Sequence, residues 1–174
     1  MRIAALLAGA VTLAFASAAS AAEVSLSPIS YSPQFQTALT DNYGPSEGEF
    51  LQRDLRQAVE RALARRGVSV AQGAPISIEL SILDAKPNSP TLHQASHRLG
   101  LDVMRSISVG GAALQAVLRD GSGNVISTVS HRRFNNSLEE VFGPVSTWDE
   151  AERAIGQFAD KVADAYVTHA GASN

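Results

Sequence analysis

No cysteine occurs in the 174 residues. That absence excludes thiolate catalysis, disulfide scaffolding, Cys-ligated zinc and iron–sulfur clusters together. It also leaves no thiol to carry the lipid of a bacterial lipoprotein. Lysine is scarce, with only Lys86 and Lys161 against twelve arginines. Aromatic residues make up 6% and charged residues 18% of the chain. Beyond the first residues there is no apolar run of the roughly 20 positions that a membrane-spanning helix needs. The Walker, GxGxxG and HExxH patterns are absent too, which removes the commonest motif-marked nucleotide and zinc-protease chemistries.

The amino terminus has the form of an export signal. Met1-Arg2 gives a positive start, Ile3 to Phe15 is almost wholly apolar, and small residues follow up to Ala22. A charged n-region, an apolar h-region and an A-x-A-like exit (Ala19-Ser20-Ala21, or one register later) describe a secretory signal peptide. We therefore expect residues 1–22 to be a signal and residues 23–174 a single domain, beginning at Ala22 or Glu23. Removing the signal takes away Arg2 and no acid, so the formal charge moves from −3 to −4. Mild acidity with interspersed signs points away from nucleic acid and anionic membranes. A chain of about 150 residues buries close to 70% of its unfolded surface, enough for a core without staples.

Periodicity supplies the element order. Residues 24–31 alternate as a strand, with Pro28 bending it or placing it at an edge because proline cannot donate to a ladder. Residues 32–44 form a polar connector. Ser46-Glu47-Gly48-Glu49 has the form of a capping box, opening a helix over 47–66 with Leu51, Leu55, Ala58, Val59, Ala62 and Leu63 on one face. Gly67 is its natural terminator. Residues 76–83 give the clearest strand: Ile76, Ile78, Leu80 and Ile82 alternate with polar residues, so one face is dry and the other wet. Residues 86–100 are a proline-bearing loop with one helical turn. Residues 101–118 read as a strand interrupted at Gly110-Gly111, folded by the turn at 120–124 onto 125–134 as a hairpin. Residues 137–145 form a second connector. Thr147-Trp148-Asp149-Glu150 is a second capping box, starting a helix whose stripe is Trp148, Ala151, Ile155, Phe158, Val162 and Tyr166 and which frays at 169–171. The expected fold is α+β, a mostly antiparallel sheet of four to five strands with two amphipathic helices packed on one face.

Candidate chemistry is sparse. His93 and His97 stand four apart, a spacing that lets two imidazoles face one metal, with His131 or Asp102 the third ligand to be sought. Two loop histidines without a metal explain the pattern as well. His131 lies beside Arg132 and Arg133, and the polar face of a strand accounts for it. Glu139-Glu140 and Asp149-Glu150 suit a solvated connector and a helix start, so no catalytic residue is assigned. Lys86, Asn88 and Thr91 stand in a loop stiffened by Pro87 and Pro90, which makes them candidates for partner recognition. Arg105, Arg132 and Arg133, with Arg119, form a possible cationic strip if the strands bring them to one surface. Pairing with Glu79 or Asp102 across the sheet accounts for them equally.

This order of elements, with Gly110-Gly111, Leu114, Val117-Leu118, Asp120, Gly123 and Val125 in the hairpin, resembles small bacterial envelope domains such as the TolB amino-terminal domain. The resemblance implies an envelope module of α+β fold and carries no site residue with it. The expectation is an exported periplasmic or secreted protein without a membrane span or cofactor, a non-enzymatic accessory of an envelope complex whose partner is another envelope protein. A small-ligand or metal-binding protein is the alternative, and a hydrolase comes third.

Overall fold

The computed structural model describes residues 22–141 and 146–171. The expected signal, up to residue 21, and residues 142–145 of the second connector lie outside them. Strand β1 (Ala22–Leu26) is followed by β2 (Ser30–Tyr31), α1 (Pro33–Ala38), a π-helical turn (Leu39–Tyr43) and α2 (Pro45–Ala64). Then come β3 (Val68–Val70), β4 (Ser77–Lys86), α3 (Leu92–His97), β5 (Gly111–Arg119), β6 (Val125–Phe134), a 3-10 turn (Leu138–Glu140) and α4 (Asp149–Gly171).

The sheet runs β3-β1-β4-β5-β6, with β2 also paired to β4. The long ladders β4–β5 and β5–β6 are antiparallel, whereas β1 pairs parallel with β3 and β4, and β2 parallel with β4. The sheet is thus mostly antiparallel with a parallel flank, and has six strands among the described residues rather than four or five. The first expected strand is split: Ser25-Leu26 and Ser30-Tyr31 lie against successive parts of β4, and after the Ser27 amide has bonded to Ile78 O the ladder breaks at Pro28 and Ile29. Proline's missing donor is the reason. β1 is nevertheless internal to the sheet.

The two long helices behave as their stripes dictate. Leu51, Leu55, Val59 and Leu63 of α2 and Ile155, Phe158 and Val162 of α4 are buried against Ile78, Leu80 and Ile82 of β4 and Leu114 and Leu118 of β5. Each such side chain contributes roughly 1.5–3 kcal/mol of burial, which makes this seam the main source of stability.

Several local expectations are corrected. Neither proposed capping box forms at its helix. α2 begins two residues earlier than a Ser46 cap allows, because Pro45 takes the first helical position with its φ preset and Gly44 (φ 99°) precedes it without a side-chain cap. Glu47 instead accepts a hydrogen bond from Trp148 Nε1 at 2.7 Å, pinning the start of α2 to that of α4. Residues 32–44 are helical rather than a loop: Ser32 accepts from the Phe35 amide (3.1 Å), Pro33 opens α1, and Phe35 and Leu39 are buried. Residues 101–110 are not strand. β5 starts at Gly111, and the preceding stretch carries exposed Met104 and Ile107.

Candidate functional site

The segment between β4 and β5 is where chemistry-bearing residues gather, and its geometry follows from one irregularity. Up to Ile82 the even-numbered residues of β4 face the helices. The register with β5 then shifts between Ile82 and Asp84, leaving Leu83 as the extra residue. A bulge re-aims the side chains after it. Ala85 becomes the buried residue, and Asp84 and Lys86 turn to the open face. Simple alternation carried through Lys86 would have sent it to the helix side.

The register across β5 to β6 fixes which arginines share that face. Asp84 lies opposite Ala113, which lies opposite Arg132, and Lys86 opposite Gly111, which lies opposite Phe134. The Arg132 guanidinium sits 4.4 Å from the centroid of the Phe134 ring, and Lys86 Nζ 6.0 Å from it. Arg119 is also on the open face but is paired to Glu79 at 3.0 Å. Arg133 is not in the strip. Neighbours along a strand point to opposite faces, and Arg133 donates to Glu150 of α4 at 2.9 Å. Glu150 is almost fully buried and is also held by Arg153 at 2.6 Å. Arg105 is exposed on the loop beyond.

Asn88 and Thr91 do not offer their polar atoms to a partner. Asn88 is 0% exposed and Thr91 1%. The Asn88 amide donates to Thr147 O (2.7 Å), its carbonyl accepts from the Ser108 amide (2.7 Å), and its side-chain nitrogen donates to Ser108 O (3.3 Å) and Asn135 Oδ1 (3.2 Å). Asn88 Oδ1 accepts from the Glu150 amide at 2.9 Å. That last bond occupies an otherwise orphaned donor at the start of α4, the task assigned from sequence to the local capping box. Gly110 makes the arrangement possible, since a Cβ there would collide with Asn88 Oδ1. Thr91 caps α3 through the Gln94 amide (3.1 Å), Gln94 reciprocates to the Thr91 amide (3.1 Å), and Thr91 Oγ1 donates to Tyr43 O (2.8 Å). The sequence signal for this capping box, Thr-x-x-Gln, was present but missed.

The fixed inner half supports an exposed outer half. Leu99 is fully exposed, Met104 is 88% exposed, and Leu92 and Ile107 project as well. Between the halves lies a pocket of about 340 Å³ whose walls include Tyr43, Pro87, Pro90, Leu101, Ile107 and Val109, with Lys86 and Arg98 also lining it.

His93 and His97 stack, ring centroids 4.3 Å apart at 30°, with His97 Nδ1 against His93 O at 2.8 Å. Among the described residues no group of three His, Cys, Asp or Glu could hold a metal ion. His131 meets Gln157 Oε1 (3.1 Å) through Nε2 and Lys161 Nζ (2.9 Å) through Nδ1, so neither a serine nor a carboxylate orients it. Burial, followed by the Lys161 charge, lowers its pKa. Asp54 and Glu152 are both shifted upward, chiefly by burial, and Glu152 further by the negative charge of Asp54. No described helix is long and apolar enough to cross a membrane.

With the fold and this end of it described, the class is clear: an α+β domain with a layer of helices over a mixed sheet. The chain belongs to the family described as protein of unknown function (DUF3313), whose model matches residues 8–162. That family, rather than the TolB amino-terminal domain, is the relationship shown. Protein XCC0632 from Xanthomonas campestris, of family-model DUF330, shares the fold at a TM-score of 0.51 and 14% identity, covering 87% of this chain and 86% of that one. Weaker likenesses extend to a PelC dodecamer from Paraburkholderia phytofirmans (TM-score 0.42, 15% identity, 80% and 84% covered). They extend also to a minor lipoprotein from Acinetobacter baumannii (TM-score 0.39, 14% identity, 87% and 94% covered). No match is found among curated proteins.

Proposed function

We propose that the protein is an exported, non-enzymatic accessory of the bacterial envelope that docks another envelope protein through the outer half of the 92–109 segment. The observation that carries this reading is the exposure of Leu99, Met104 and Ile107 on a segment whose base is locked by buried hydrogen bonds. Large apolar side chains grouped at a surface mark contact sites, and a rigid base lowers the ordering cost of contact. The signal-like start of the sequence supports export. Lys86, Arg105 and Arg132 give the surroundings a positive character suited to an acidic rim on the partner.

A photo-crosslinking residue at Met104, introduced in the full chain in cells, tests the reading. A second one at Val125, an exposed apolar residue of the hairpin outside this segment, serves as control. A discrete adduct with one envelope protein from Met104 alone is expected, lost when Leu99 and Ile107 become serine. Equal labelling from both positions, or none from Met104, defeats it.

A further inference from the structure

The pocket above the proline loop has two kinds of wall. Its apolar lining is Pro87, Pro90, Leu101, Ile107 and Val109, together with Tyr43. Its polar side carries Lys86 and Arg98. Arg98 is held in place by a 2.7 Å hydrogen bond from its guanidinium to Asn42 Oδ1, a neutral acceptor. Lys86 has the Phe134 ring at 6.0 Å, also neutral. Neither cation forms an ion pair among the described residues, whereas Arg119, Arg133 and Arg153 each do. Asp84 acts electrostatically on Tyr43 from the same region, as Arg98 does with the opposite sign. Lys86 and Arg98 are the charged residues of the lining, which holds no acid, and Asp84 stands outside it.

We propose that this pocket binds a small amphiphile with a single carboxylate, of the medium-chain fatty-acid class. The carboxylate would sit between Lys86 and Arg98 and the tail along Ile107 and Val109. A volume near 340 Å³ is at the small end for ligand pockets, which suits a short tail rather than a whole phospholipid. The proposal goes beyond docking of a partner protein and does not need one, so either can fail alone.

The molecule carries its own reporter. Its one tryptophan, Trp148, meets the Tyr43 ring edge-on at 5.7 Å between centroids. Purified protein is titrated with octanoate below its micelle concentration while Trp148 emission is followed. Saturable binding with a dissociation constant on the order of 1 mM is expected for a ligand of this size. 1-Octanol, which lacks the charge, should bind at least about tenfold more weakly, and K86Q and R98Q should each weaken octanoate by roughly tenfold. Unchanged far-ultraviolet circular dichroism shows that these surface variants remain folded. Octanol binding as well as octanoate, octanoate binding indifferent to both variants, or no saturable change overturns the proposal. So does a leucine-terminated acetyl-tripeptide that binds tenfold more tightly than octanoate, because the pocket would then read a polypeptide terminus.

Discussion

The inner and outer halves of the segment joining β4 to β5 are built on opposite principles. Asn88 and Thr91 are polar and buried, while Leu99, Met104 and Ile107 are apolar and exposed. This inverts the usual partition of residue types, and both departures need a physical reason. Inside, every buried side-chain polar atom among the described residues has a partner, so the polar residues serve as internal braces. Outside, nothing among the described residues covers the apolar residues, which is the surface the proposed docking would use. A loop braced in this way keeps its sticky face in one conformation.

The contrast gives a graded set of outcomes. Asn88→Ala removes the buried acceptor for the Glu150 amide and the buried donor to Asn135 Oδ1. A loss of about 3 kcal/mol is expected, lowering Tm by roughly 6–12 °C in thermal denaturation. Thr91→Val keeps the shape but deletes the Gln94 cap and the bond to Tyr43 O. It should cost about 1–2 kcal/mol by urea titration, with the m-value unchanged. A smaller effect separates this segment, braced by neutral amides, from the α2–α4 seam. Asp54 and Glu152 there are raised, so the folded state holds their protons more tightly than the unfolded one. Their contribution is present at low pH and is lost as pH rises from the ordinary carboxylate range through the raised values. Glu152→Gln should flatten that part of the stability–pH curve and leave the protein slightly more stable at pH 7. Smallest of all, Leu99→Ser with Met104→Ser should change stability by no more than about 0.5 kcal/mol while abolishing capture by the partner. A large stability loss from the outer pair, or none from Asn88, would erase the distinction.

The elements legible in the sequence were those whose signal is periodic. The stripes of α2 and α4 and the alternation of Ile78, Leu80 and Ile82 each persist over several turns or residues, and the hairpin is marked by its Asp-Gly-Ser-Gly turn. What escaped was short or non-local. Helix α1 spans six residues, too few for a periodic stripe, and only Ser32-Pro33 announced it. The bulge at Leu83 reverses the facing of Asp84 and Lys86, and no residue type signals that one position is extra. Asn88 read as a loop residue available to solvent because its partners, Ser108, Asn135 and Glu150, lie 20, 47 and 62 positions away. Arg132 and Arg133 were grouped as neighbours in sequence, although strand geometry sets neighbours on opposite faces. What Asn88, Thr91 and Arg133 do is set by tertiary pairing that no local pattern announces.

The remote cap on α4 also bears on the order of assembly. Its first turn acquires an acceptor only once the end of β4 has arrived, so local sequence alone leaves that turn weak during synthesis, when the preceding sheet must already be in place. In the finished molecule the dependence runs the other way. The Glu150 amide should exchange its hydrogen only in global opening events, as slowly as amides at the middle of the helix, instead of fraying as helix ends do.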